Sequence, residues 1–64
     1  MNGAQWQREV ERCRREIEEA ERQLRSGHPD VAGLCLALAD WSAELRILEE
    51  ERRRAEGRPL GPAA

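Results

Sequence analysis

The chain contains no lysine, no phenylalanine and no tyrosine, so all 11 of its basic residues are arginines. Against 13 acidic residues they leave a net charge of −2. That balance excludes the strongly positive field of an indiscriminate nucleic-acid binder. Two cysteines, Cys13 and Cys35, are too few for a disulfide framework and read as free thiols. The single histidine, His28, has no second histidine and no cysteine at zinc-ligand spacing. No apolar run is long enough for a transmembrane helix, so no membrane partner is expected. The opening "MNGAQWQREV" has neither the basic nor the apolar region of a signal peptide, and the expected location is the cytoplasm.

The signatures of catalysis are also missing. The sequence has no glycine-rich phosphate loop and no serine-nucleophile motif. Its adjacent carboxylates, Glu18–Glu19 and Glu49–Glu50–Glu51, lie in charge runs suited to water. Catalytic carboxylates need a desolvated cleft. The expectation is a chain that is not an enzyme and holds no cofactor and no metal.

What is present is helix. Ala, Glu, Arg, Leu and Gln dominate the 64 residues, which suffice for one small domain. Asn2 followed by Gln5 makes a variant capping box. Trp6, Val10, Cys13, Ile17, Ala20 and Leu24 then recur at alternating gaps of four and three, a heptad stripe. Arg25 suits the last turn and Gly27 the position past the end. "SGHPD" turns the chain, with Pro29 and Asp30 placed in the first turn of the next helix. Val31, Leu34, Leu38, Trp41, Leu45 and Leu48 resume the heptad, and Gly57 and Pro59 end it. Arg52 takes the next seam position, where fraying is expected.

The sequence therefore predicts an all-α fold, an antiparallel two-helix hairpin of coiled-coil type, over residues 1–57. Helix 1 spans about 3–26, the turn 26–29 and helix 2 about 29–56; residues 58–64 form a disordered tail. The expected core is Val10, Cys13, Ile17, Ala20, Leu24, Val31, Leu34, Leu38, Trp41, Leu45 and Leu48. In an antiparallel pair, residues whose numbers sum to about 55 stand at equal height, so small Ala20 and Cys13 oppose large Leu34 and Trp41. Glu11–Arg15, Glu18–Arg22, Glu21–Arg25, Glu49–Arg53 and Glu50–Arg54 have the favoured order for ion pairs along a helix.

Helix 2 carries a second apolar set: Ala32, Leu36, Ala39, Ala43 and Ile47. With Cys35, Ala37 and Ser42 beside it, the segment from Val31 to Leu48 is apolar or small nearly all round, which marks a helix buried on more than one side. Helix 1 is charged over its outer face. The expected solution is a homo-oligomer, a dimer of hairpins pairing helix 2 on helix 2 into a four-helix bundle. Gly33, costly inside a helix, fits close approach of a neighbouring backbone. Function follows as a small interaction or structural module that self-associates through helix 2. A chaperone or adaptor subunit, its stripe covered by a different protein, is an alternative.

Arg8, Arg12, Arg15 and Arg22 form a ridge on helix 1 that could follow a phosphate backbone, interrupted by Glu19 and flanked by Glu11, Glu16 and Glu18. A nucleic-acid partner is not the expected one. The string "CLALADWSAEL" nonetheless resembles the second helix of the Rop-type plasmid regulators, with Cys35, Leu38, Asp40, Glu44 and Leu45 at matching spacing over 11 residues. The resemblance implies helical hairpins paired into a four-helix bundle, and an RNA-binding regulator that contacts paired RNA loops through its first helix. That family's RNA-binding face uses lysines, amides and a phenylalanine, where this chain has Arg and Glu.

Overall fold

The structure, a computed structural model, describes residues 2–57. The expected tail, 58–64, lies outside them. The described residues form two helices, α1 (Gly3–Arg25) and α2 (Val31–Gly57), packed on one another as a hairpin.

Each end of α1 is fixed by local hydrogen bonds. The Asn2 side chain accepts from the Gln5 N–H at 2.8 Å, and the Gln5 side chain accepts from the Asn2 N–H at 3.2 Å. That reciprocal pair is the capping box. At the other end the His28 N–H donates to the Gln23 carbonyl at 3.0 Å and the Gly27 N–H to the Leu24 carbonyl at 3.2 Å. This is the Schellman pattern, and it requires a left-handed residue after the cap. Gly27 supplies it with φ of 85°.

α2 begins two residues later than expected. Pro29 and Asp30 stand outside the helix, and the Asp30 carboxylate accepts from the Gly33 N–H at 3.0 Å. The Leu34 N–H donates to the Asp30 carbonyl at 3.1 Å, the first bond of the helix ladder. Asp30 is thus the N-cap. It also explains Gly33. A Cβ there would stand 2.7 Å from Asp30 Cγ and overlap one carboxylate oxygen. The residue crowding Gly33 is therefore its own helix cap, where a neighbouring backbone was expected.

The seam is thin. Val10, Cys13, Ala20 and Leu48 are buried, and Trp6, Ile17, Leu24, Leu34, Leu38, Trp41 and Leu45 are half-buried around them. Trp6, Trp41 and Leu45 pack against the cluster of Val10, Cys13 and Leu48, as equal heights require. Val31 departs from expectation and is 54% exposed. As the first residue of α2 it has no preceding helical turn beside it.

Seam fraying at Arg52 is also corrected. Its guanidinium lies 4.6 Å from the centre of the Trp6 ring. The Trp6 indole N–H donates to the Leu48 carbonyl at 2.7 Å. The open end of the hairpin is therefore tied by an interhelical hydrogen bond and covered by a cation over an aromatic face. Of the five expected ion pairs, Glu50–Arg54 closes at 3.6 Å. Arg22 turns to Glu19 at 2.7 Å, Glu49 reaches across to Arg14 at 3.7 Å, and Arg52 bonds Glu56 at 3.0 Å. Glu11–Arg15, Glu18–Arg22, Glu21–Arg25 and Glu49–Arg53 do not close among the described residues.

Candidate interaction surface

At ~100° per residue, the seam positions of α2 and the second set, Ala32 to Ile47, lie on roughly opposite sides of the helix. α1 covers one side only. Ala32, Leu36, Ala39, Ala43 and Ile47 are all exposed, Leu36 at 64% and Ile47 at 52%. Cys35 beside them is exposed as a free thiol. Solitary exposed leucines are ordinary in proteins. Here two large aliphatic side chains stand on one helix face with alanines at each turn between them and no charge on the line. Asp40 and Arg46 flank the stripe on either side. Its end toward the C-terminus is an open hollow at Ile47, bounded by Glu50, Glu51 and Arg54.

The four ridge arginines share one exposed face of α1, and two of them are engaged by other side chains of the hairpin. Arg8 and Arg15 are exposed on the outer face of α1. Arg12 lies 5.5 Å from the centre of the Trp41 ring, turned toward the seam. Arg22 is held by Glu19, which is bonded in turn by the Gln23 amide at 3.0 Å. Two of the four cations thus have intrachain partners at the surface.

Each tryptophan therefore has an arginine from the opposite helix over it. From the sequence Arg12 reads as a ridge cation and Arg52 as a seam defect. The equal-height rule already set Arg12 near Trp41 and Trp6 near Leu48 and Arg52.

The remaining polar groups are local. The Asp30 N–H donates to His28 Nδ1 at 3.0 Å, so the histidine braces the turn. Burial pushes the Cys13 thiol above its ordinary value, with smaller contributions from the Glu44 and Glu9 carboxylates, while Arg12 pulls it down. Among the described residues no three His, Cys, Asp or Glu side chains converge as metal ligands, and no helix is long and apolar enough to cross a membrane.

Comparison with protein-family models, with curated proteins and with solved structures gives no match.

Proposed function

We propose that this chain is a non-enzymatic helical interaction module that self-associates through the face of α2 turned away from α1. The observation that carries the reading is the exposure of Leu36 at 64% and Ile47 at 52% on one line of a helix whose hairpin buries only Val10, Cys13, Ala20 and Leu48 among the described residues. A chain this small gains little from a single seam. Covering a second apolar face adds burial at ~25 cal/mol per Å², and a two-fold axis lets one surface serve as both halves of the contact. A dimer of hairpins places the four helices in the order α1, α2, α2, α1, with the charged helices outermost. This accounts for the difference between the two helices: α1 meets water on its outer face and α2 meets a helix on both.

Replacing Leu36 and Ile47 together by Glu puts two carboxylates on that face. Sedimentation should show the parent chain at twice the hairpin mass and the double variant shifted toward one hairpin, with weakened helicity. An unchanged assembly in the variant would refute this interface. A parent chain that is soluble only together with a different protein would favour an adaptor subunit instead.

A further inference from the structure

The exposed stripe has an internal pattern that specifies how two copies meet. Its two large residues, Leu36 and Ile47, are separated by alanines, and Ala32 precedes them. The midpoint between Ala32 and Ile47 falls between Ala39 and Asp40. We infer that α2 packs antiparallel on the α2 of a second copy, with the two-fold axis passing between Ala39 and Asp40. The inference rests on the self-association proposed above and adds its direction and register.

Three observations carry it. In this register Leu36 stands opposite the partner's Ala43, and Ile47 opposite the partner's Ala32, so each exposed large side chain enters a space left by a small one. Interhelical distance depends on the side chains at the contact, about 8–10 Å. Parallel pairing would set Leu36 on Leu36 and alanine on alanine, which asks for two spacings along one contact. Second, the charged residues that continue the line beyond Ile47 are left in solvent, and Asp40, which flanks the line, stands beside the partner's Asp40 at the rim of the contact. Glu50 and Arg54, an ion pair at 3.6 Å, fall beyond Val31, where the partner's α2 begins. A shift of two turns that overlaps the C-terminal halves would press Glu50 onto Leu36, and a shift of one turn would set it on Gly33. A shift the other way uncovers Ile47. Third, the stripe lies across α2 from the seam, so neither α1 obstructs the approach.

The register can be read by disulfide trapping in the full chain. In a Cys35→Ser background, Ala39→Cys puts two thiols within about one residue of equal height at the axis, and mild oxidation should convert most of the protein to a covalent dimer. Ala43→Cys in the same background sets the thiols about seven residues apart in height, ~10 Å, and should stay largely monomeric on a denaturing gel. Cys13, 1% exposed, is common to both variants, and the Cys35→Ser chain alone serves as its control. Trapping through Ala43→Cys with none through Ala39→Cys would overturn the register while the sedimentation mass still showed a dimer. A sedimentation mass of one hairpin would remove the self-association and the register together.

Discussion

Cys13 is the most enclosed side chain in the hairpin, and its chemistry follows from where it sits. A small residue is wanted at this height because Trp41 packs against the same cluster. The neutral thiol fits as a small apolar group. The thiolate does not: burial opposes it, and Glu44 and Glu9 repel it. The folded chain therefore holds the proton to higher pH than the unfolded chain. This contribution to stability is complete below the ordinary thiol range and is lost as pH rises through the raised folded value. The composition makes the effect readable, since no lysine or tyrosine is present to titrate in the same window. Urea midpoints should be level from about pH 7 to 8 and fall above about pH 9, where an ordinary thiol ionises. Cys13→Ala should be less stable throughout and lose most of that alkaline fall, whereas Cys35→Ser should retain it. An equal slope in Cys13→Ala would assign the fall to some other group.

The two helices show which local signals decide an element boundary. Asn2 with Gln5, and Gly27 at the C-terminal end, act within a few residues, so the sequence states them directly. The heptad spacing is periodic and places the seam for the same reason. The start of α2 was misplaced because "PD" supports two readings. Proline fits a first helical position, but aspartate fits an N-cap, and the cap bond to Gly33 decides in favour of Asp30. That bond and the crowding at Gly33 are coupled, which a double-mutant cycle can measure. Asp30→Ala removes the cap and should cost about 1 kcal/mol. Gly33→Ala gains about 1 kcal/mol of helix propensity but displaces the Asp30 carboxylate, so alone it should be nearly neutral. In the Asp30→Ala background the same change should stabilise by nearly the full ~1 kcal/mol. Additive effects in urea unfolding would mean that the carboxylate finds room beside the methyl group. Partner choice among exposed charges is where sequence pattern carried least. Glu19 and Glu18 compete for Arg22 at a few tenths of a kcal/mol, about 0.2–0.5 for each pair, and the spacing alone does not rank them. Arg52 was misread for another reason: treating arginine as a charge alone overlooks a planar guanidinium that covers an indole.

For the whole molecule, an interface that completes the fold differs from one between finished proteins in how stability responds to concentration. If the α2 faces are covered only in the dimer, unfolding separates two chains and the midpoint must rise with protein concentration. A tenfold increase shifts the equilibrium by about 1.4 kcal/mol per dimer. Spread over two chains of this length, with unfolding entropy near 2.1 cal/mol/K per residue, that is a rise in Tm of about 5 °C. Circular dichroism melts at 5, 50 and 500 μM should thus step upward by about 5 °C each time, about 10 °C across the series. The Leu36→Glu, Ile47→Glu double variant should lose the steps and melt at one lower temperature. A concentration-independent Tm in the parent chain would mean that the hairpin is stable alone, held by its thin seam, the Trp6 hydrogen bond to Leu48 and the arginine-covered tryptophans. The exposed face of α2 would then meet a partner only after folding is complete. The steps would instead place folding and association in a single event.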